Sequence, residues 1–216
     1  MNLLFDLDGT LINSKIGIYN AYKLSLENYI EPIGEKEFEY YIGPTFSNIL
    51  TNIDPDLDIS VSKTIISNFR RLYDCIYYKE FIIYDGMVDL IQKVSTFSQC
   101  FIVTNKPTKP SIEILKKLKL NYYFKEIVGV NYFSNIGLRK RENISKLIAN
   151  NNLSKIETFY IGDTKADLDA AKQNNINFIA FKEGYYKWKK YELVNTFFYY
   201  KKPSDLYLKL SMLINT

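Results

Sequence analysis

The stretch Leu3-Leu4-Phe5-Asp6-Leu7-Asp8-Gly9-Thr10 is a short apolar run that ends in two acidic residues and a turn sequence. Residues 3–7 are typical of a buried strand, because the run is short and is followed by residues that favour a turn. Asp6 and Asp8 alternate with Leu7, so an extended backbone places their side chains on one side. The stretch therefore predicts a core strand that carries two carboxylates to its carboxyl end.

After Gly86 the sequence alternates short apolar runs with amphipathic segments. The predicted helices cover residues 87–95, 111–118, 140–150, 167–174 and 204–213. The predicted strands between and after them cover residues 100–104, 126–130, 158–162, 177–181 and 196–200. Strands that alternate with helices indicate an α/β fold, here a Rossmann-like open parallel sheet with helices on both faces.

The segment from residue 15 to residue 81 contains no convincing strand and comes directly after the first strand and its turn. Ser14 is placed to cap a helix that runs to about Tyr29, and residues 35–42 and 61–78 also have helical patterns. We therefore expect residues 15–81 to form an all-helical cap inserted after the first strand. Residues 1–14 and 82–216 would form the catalytic core.

Composition narrows the class of protein. Of the 216 residues, 47% are hydrophobic and 24% charged, which supplies both a packed core and a polar surface. No apolar run approaches the length of a membrane span, and the amino-terminal residues lack the basic leader of a signal peptide. We therefore expect no membrane partner. The net charge of +4 is modest and the basic residues are scattered, so we also expect no nucleic-acid partner. The two cysteines, which suggest no disulfide framework, favour a cytoplasmic location.

The chain contains no histidine, which excludes Ser-His and Cys-His nucleophiles and the common zinc hydrolases. Asp, Glu, Lys and Tyr remain for acid–base and nucleophilic chemistry. The two cysteines, Cys75 and Cys100, form neither a disulfide framework nor a zinc pattern. We expect both to be buried free thiols.

Polar residues recur where the predicted strands end, and the carboxyl ends of parallel strands are where ligands bind. Several carboxylates that converge without histidine repel one another unless a hard cation lies among them, and oxygen ligands favour Mg²⁺. A carboxylate beside Mg²⁺ can attack phosphorus, while a lysine and a hydroxyl hold the phosphoryl oxygens. The residues concerned are Asp6, Asp8, Thr104, Asn105, Lys106, Lys140, Asp163, Thr164 and Asp167.

These residues resemble the four motifs of the haloacid dehalogenase superfamily. Phe5-Asp6-Leu7-Asp8-Gly9-Thr10-Leu11 resembles the first motif and Thr104-Asn105-Lys106-Pro107 the second. Lys140 resembles the third, and Gly162-Asp163-Thr164-Lys165-Ala166-Asp167 the fourth. Order and spacing match along the whole chain, and the helical insert is similar to the cap of the phosphoglycolate phosphatase-like subgroup.

The resemblance implies a Mg²⁺-dependent phosphatase that hydrolyses a small phosphorylated metabolite, phosphoglycolate-like or a sugar phosphate, through an aspartyl-phosphate. Asp6 would be the nucleophile and a metal ligand, and Asp8 the general acid and then the general base. We expect Asp6, Asp8 and Asp163 to gather around one divalent ion, with Asp8 adding its backbone carbonyl. The remaining roles are phosphate binding by Thr104, Asn105 and Lys140, and support by Gly9, Thr10 and Asp167.

Several alternatives stay open at this point. A phosphomutase or a pyrophosphatase would use the same scaffold, and a catalytically silent binding or regulatory protein would keep only the fold. Arg139 and Arg141 flank Lys140, so the choice of the phosphate-binding basic residue also rests on the resemblance. The physiological substrate, and the choice between monomer and homodimer, do not follow from the sequence.

Overall fold

The computed structural model describes residues 1–43, 45–130 and 140–214. Within them the chain divides into two compact units. One consists of Met1–Ile12 together with Ile83–Thr216, and the other of Asn13–Ile82. The second unit is thus an insertion into the first.

The first unit is built on a parallel sheet. In chain order the strands are β1 (Asn2–Phe5), β2 (Ile12–Asn13), β3 (Ile82–Ile83), β4 (Gln99–Pro107), β5 (Phe124–Val130), β6 (Thr158–Gly162), β7 (Asn177–Phe181) and β8 (Phe198–Tyr200). Six of them form one sheet in the order β5-β4-β1-β6-β7-β8, and each pairing in it is parallel. β2 and β3 form a separate two-stranded sheet.

Helices connect these strands and make up most of the second unit. They are α1 (Lys15–Ser25), α2 (Glu35–Phe38), α3 (Phe46–Ile53), α4 (Ile59–Cys75), α5 (Met87–Val94), α6 (Thr108–Lys117), α7 (Lys140–Asn150), α8 (Lys165–Gln173), α9 (Lys190–Leu193) and α10 (Pro203–Ile214). Short 3-10 turns cover Glu39–Tyr41, Tyr77–Lys79 and Asn121–Tyr123. Among the described residues, no helix combines the length and the apolar character that crossing a membrane requires.

β1 lies in the middle of the six-stranded sheet, and all four of its residues are buried. The chain continues from β1 to β4 and β5 on one side, and from there to β6, β7 and β8 on the other. The carboxyl end of β1 is therefore the point where the strand order reverses, which is where open parallel sheets form their ligand crevice. Side chains such as Leu4, Phe101 and Tyr160 form the core beneath α7 and α8.

The second unit is packed around aromatic rings. Tyr22 stacks on Phe38 with ring centroids 4.1 Å apart, and Phe46 stacks on Phe69 at 3.7 Å. Tyr73 continues the second stack at 5.5 Å from Phe69. These five side chains, here called the aromatic cluster, are all at most 5% exposed. Burial of large aromatic rings supplies much of the stability of a small helical unit.

The predicted fold class, an α/β Rossmann-like parallel sheet with a helical insert after the first strand, is confirmed. The predictions of β6, β7 and α7 match the structure to the residue. The helix that begins after Ser14 is shorter than predicted. It ends at Ser25, and Asn28 takes a φ of 72°, which an α-helix does not allow. The Ser14 side chain makes no capping hydrogen bond, contrary to the expectation.

Two further expectations need correction. Cys100 is buried, which raises the pKa of its thiol to about 11, but Cys75 is exposed at the last position of α4. The prediction of two buried thiols is therefore wrong for Cys75. The strand predicted over residues 100–104 extends to Pro107 as β4, so the Thr104-Asn105-Lys106 motif lies inside the strand and not after it.

Candidate active site

Asp6 follows β1 directly and is only 5% exposed. Its backbone N–H donates to the carbonyl of Ile161 in β6 at 2.9 Å, so the residue is held at the carboxyl edge of the sheet. Lys140 Nζ lies 3.0 Å from Asp6 Oδ2. Asp6 Oδ1 is buried and has no hydrogen-bond partner among the described residues. A buried oxygen in this state points to a ligand or a reacting group.

The turn after Asp6 brings Asp163 beside it. Gly9 has a φ of 81°, and a Cβ at this position would overlap the carboxylate of Asp163, so two independent features require glycine. The Thr10 hydroxyl donates to Asp163 Oδ1 at 3.0 Å. Asp163 itself is fully buried at the end of β6. Gly9 and Thr10 thus hold the Asp163 carboxylate in place, and their supporting role in catalysis stays a prediction.

Asp167 is oriented by the start of α8. Thr164 and Asp167 form a capping box, in which Asp167 Oδ2 accepts from the Thr164 backbone N–H at 2.9 Å and from its hydroxyl at 2.7 Å. The other oxygen, Oδ1, accepts from Lys140 Nζ at 2.6 Å. Both oxygens of Asp167 are therefore engaged by protein donors, and the residue supports Lys140.

Lys140 is the first residue of α7, and its side chain is 8% exposed. Its ammonium group lies between Asp6 and Asp167, and 5.7 Å from the ring centroid of Tyr160. Arg141 points elsewhere, since its guanidinium contacts Glu142 at 3.1 Å. Arg139 lies outside the described residues. Of the two described candidates for the phosphate-binding residue, Lys140 is the one that reaches Asp6.

Burial and neighbouring charges shift the pKa values of Asp6, Asp163 and Lys140. Burial raises the pKa of Asp6 to about 7, although Lys140 pulls it down, and the nearby Asp167 adds to the rise. Burial, Asp167 and Asp6 together raise the pKa of Asp163 well above its ordinary value. Burial lowers the pKa of Lys140, but Asp167 and Asp6 outweigh it and the net shift is upward. One ammonium group therefore does not balance the carboxylates around it.

The excess of carboxylates over ammonium groups raises the question of whether a metal ion fits this site. Asp6, Asp163 and Asp167 each offer a carboxylate oxygen, and these oxygens lie within 4.8 Å of one another. Clustered carboxylate oxygens, one of them buried without a partner, form the ligand set of a hard divalent cation. The residues present fit such an ion. Asp167 belongs to this group by distance, and the metal-ligand role that the sequence analysis gave to Asp8 stays a prediction.

Asp8 lies beside Lys106. Its side chain is 22% exposed, and its Oδ1 lies 3.0 Å from Lys106 Nζ. Thr104 is 1% exposed, and its hydroxyl oxygen accepts from the Lys106 backbone N–H at 3.2 Å. Asn105 is exposed. The structure thus brings Asp6, Asp163, Asp167 and Lys140 into direct contact or close grouping, while the phosphate-binding roles of Thr104 and Asn105 stay predictions.

Sequence reasoning assigned no role to three residues that shape the site. The Tyr185 backbone N–H donates to Asp163 Oδ2 at 2.8 Å, and a Cβ at Gly184 would overlap the Cβ of Asp163. The Tyr160 hydroxyl donates to the carbonyl of Val103 at 2.8 Å and lies 3.3 Å from Asp167 Oδ1. Gly184 and Tyr185 follow β7, so the rule that singled out other strand ends would have found them. Tyr160 carries no such signal within its apolar strand.

The amino-acid sequence is similar to those of several known proteins. The family model described as haloacid dehalogenase-like hydrolase matches residues 3–181. A phosphoglycolate phosphatase of Rhodobacter capsulatus is 26% identical over 192 residues, 86% of this chain and 85% of that protein. The pyrophosphatase PpaX of Listeria monocytogenes is 27% identical over 174 residues, 79% of this chain and 77% of that protein.

Solved structures agree on the fold. The crystal structure of a predicted phosphatase from Clostridium acetobutylicum superposes with a TM-score of 0.87 at 25% identity, covering 98% of each chain. The matched segment includes Asp6, Asp8, Lys140, Asp163 and Asp167, and so every acidic and basic residue of the candidate site described above. The chain belongs to the family of haloacid dehalogenase-like hydrolases.

Proposed function

We propose that the protein is a Mg²⁺-dependent phosphatase that hydrolyses a small phosphorylated metabolite through an aspartyl-phosphate on Asp6. The observation that carries the proposal is the state of the Asp6 carboxylate. Lys140 contacts one of its oxygens at 3.0 Å, and the other is buried without a hydrogen-bond partner among the described residues. Most buried polar side-chain atoms in proteins have a hydrogen-bond partner, so this exception beside a lysine supports a role in binding or reaction.

Asp6 and Asp163 would hold the Mg²⁺ ion, with the backbone carbonyl of Asp8 as a further ligand. When bound, the ion would offset the negative charge of the carboxylates and draw charge from a phosphoryl oxygen. Asp167 would stay with Lys140, because both of its oxygens already accept hydrogen bonds from protein groups.

In the first half of the reaction, an Asp6 oxygen forms a bond to phosphorus while the bond from phosphorus to the leaving oxygen breaks. Asp8 gives its proton to that leaving oxygen. Lys140 stabilises the charge on the phosphoryl oxygens, and the hydroxyl of Thr104 holds one of them. The ammonium group of Lys140 is fixed for this task by Asp167 and by the Tyr160 ring.

In the second half, Asp8 accepts a proton from a water molecule as the water oxygen attacks phosphorus. The bond between phosphorus and Asp6 breaks, and inorganic phosphate leaves. The 22% exposure of the Asp8 side chain suits proton exchange with a leaving group and with water, whereas Asp6 is nearly enclosed. The two carboxylates therefore divide the work according to their surroundings.

The substrate class rests on the relatives. One is named a phosphoglycolate phosphatase and another a pyrophosphatase, and both match most of this chain. We propose a small phosphomonoester as the substrate and inorganic pyrophosphate as the alternative substrate. A phosphomutase on the same scaffold stays a further alternative.

The test is turnover of an aryl phosphate and of a panel of phosphomonoesters and pyrophosphate, with Mg²⁺ and with a chelator. The Asp6→Asn variant should lose roughly 10³-fold or more in kcat, because it lacks the nucleophile. The matched control is Asp169→Asn, which replaces an exposed carboxylate of α8 and should keep full activity. Wild type and Asp6→Asn that are equally inert over the whole panel would overturn the proposal and favour a binding protein. Slow phosphate release from a stable phosphoenzyme would favour a mutase.

A further inference from the structure

Lys106 is a buried charged residue in β4 to which the four-motif pattern assigns no role. Its side chain is 1% exposed, yet it carries an ammonium group whose Nζ lies 3.0 Å from Asp8 Oδ1. Burying an ammonium group destabilises the fold unless the group is paired in good geometry. An apolar side chain at this position would avoid the cost, so the lysine calls for a purpose other than packing.

The local backbone aims Lys106 at Asp8. Thr104 and Lys106 are two residues apart in one strand, so they share a side of the sheet edge. The pairing of β4 with β5 is irregular between Val103 and Pro107, and such irregularities redirect side chains. Gly129 of β5 accommodates the irregularity, because a Cβ there would overlap the Lys106 carbonyl. Its N–H donates to the Thr108 hydroxyl at 3.1 Å.

We propose that Lys106 is a positioning residue for the proton exchange performed by Asp8, an inference that rests on the proposed function. Lys106 ties down one oxygen of the Asp8 carboxyl group, and this restricts the directions that the other oxygen can take. The proton of Asp8 is then delivered along a fixed path to the leaving oxygen, and the proton of water is later collected along the same path. Lys106 itself forms and breaks no bond to phosphorus.

This role predicts a dependence on the leaving group. An alkyl phosphate expels a basic alkoxide and needs the proton from Asp8, whereas an aryl phosphate with an acidic phenol needs it little. Lys106→Met should therefore lower kcat/KM for alkyl phosphates by about tenfold or more beyond its effect on aryl phosphates, because a misplaced acid is a poor proton donor. The ratio of the two values is unaffected by the fraction of the variant that is folded.

The experiment measures kcat/KM for a series of phosphomonoesters of graded leaving-group pKa, in wild type, Lys106→Met, Asp8→Asn and the double variant. Lys106→Met should steepen the dependence on leaving-group pKa. In the Asp8→Asn background the same replacement should change the slope no further, since the group it positions has gone. Lys116→Met, which replaces a lysine 57% exposed on α6, is the control and should leave the slope unchanged.

Three outcomes would count against the proposals, and they are distinguishable. An equal loss of kcat/KM for alkyl and aryl phosphates in Lys106→Met would show a merely structural lysine and overturn this inference alone. So would a further change of slope when Lys106→Met is added to Asp8→Asn. A wild type that hydrolyses no member of the series would overturn the proposed function, and this inference with it.

Discussion

The acidic residues at the sheet edge, Asp6, Asp163 and Asp167, and the aromatic cluster of the helical unit are all buried. The two sets are stabilised in opposite ways. In the aromatic cluster, rings such as Phe46 and Phe69 stack at 3.7 Å and bury no charge. At the sheet edge, Asp6 and Asp163 are buried as acids whose pKa values are raised. The aromatic cluster gains stability from burying apolar rings, whereas the sheet edge loses stability by burying ionisable carboxyl groups close together. Substitutions in the two regions should therefore change stability in opposite directions.

The largest effect on stability is expected in the aromatic cluster. Phe69→Ala removes a ring that is 3% exposed and stacks on both Phe46 and Tyr73. It should lower the free energy of unfolding by about 3–5 kcal/mol, as for other large-to-small changes in a core. Urea denaturation followed by circular dichroism measures this. Tyr40→Ala, which removes a ring 89% exposed in the same unit, is the control and should change little. If both variants lost the same free energy of unfolding, the aromatic cluster would not be the source of stability that we describe.

The opposite sign is expected for Asp6→Asn in metal-free protein. The pKa of Asp6 is about 7 in the fold against an ordinary value of 3.8, so the folded chain binds more protons than the unfolded chain between these values. Asp6 therefore lowers stability as pH rises from about 4 to about 7, and the full loss is present above that range. A neutral Asn avoids this loss, and it should raise the free energy of unfolding on the order of 2 kcal/mol near pH 8.

The measurement for Asp6→Asn is urea denaturation with a chelator, near pH 8 and again near pH 5, where the difference from wild type should shrink. Mg²⁺ should then stabilise wild type more than Asp6→Asn, because a ligand stabilises only the state that binds it. The control is Asp169→Asn, which replaces an exposed carboxylate of α8 and should change the free energy of unfolding little. An Asp6→Asn variant that is less stable than wild type near pH 8 would mean that the ionised Asp6 carboxylate does not destabilise the fold.

The smallest effect is expected for Tyr160→Phe. Only the hydroxyl is lost, and with it the 2.8 Å hydrogen bond to the Val103 carbonyl and the contact with Asp167 Oδ1. Stability should fall by about 1 kcal/mol, the usual contribution of one hydrogen bond. Activity should fall a few-fold, because Asp167 and Lys140 lose part of their support. Tyr122→Phe, at a ring that is 82% exposed, provides the comparison, and identical behaviour of the two variants would exclude a supporting role for Tyr160.

Much of the core could be predicted from the sequence because its central strands are short, continuous apolar runs. β6 and β7 have this pattern, and both were placed correctly. The end of α1 was not placed correctly. Asn28 has a left-handed backbone conformation, and the sequence does not show which asparagines adopt it. Cys75 was misplaced for a related reason, since its exposure depends on which face of α4 the fold covers.

The site was predictable where polar residues interrupt or follow a strand. Asp6, Asp163, Asp167 and Lys140 lie close together at strand and helix ends, and the roles predicted for them stay predictions. The pairing of Asp8 with Lys106 was missed, although the two-residue spacing from Thr104 places Lys106 on the same side of β4. That residues 15–81 act as the cap of a catalytic core stays a prediction.

The most direct test of the central claim is to look for phosphate on Asp6 itself. Wild-type protein is mixed with a rapidly hydrolysed aryl phosphate and Mg²⁺, quenched in acid during turnover, and digested for mass spectrometry. We predict a phosphorylated peptide whose modified residue is Asp6, formed and lost on the timescale of turnover and absent from Asp6→Asn. Turnover without any phosphate on Asp6, or with phosphate on another residue, would contradict the account.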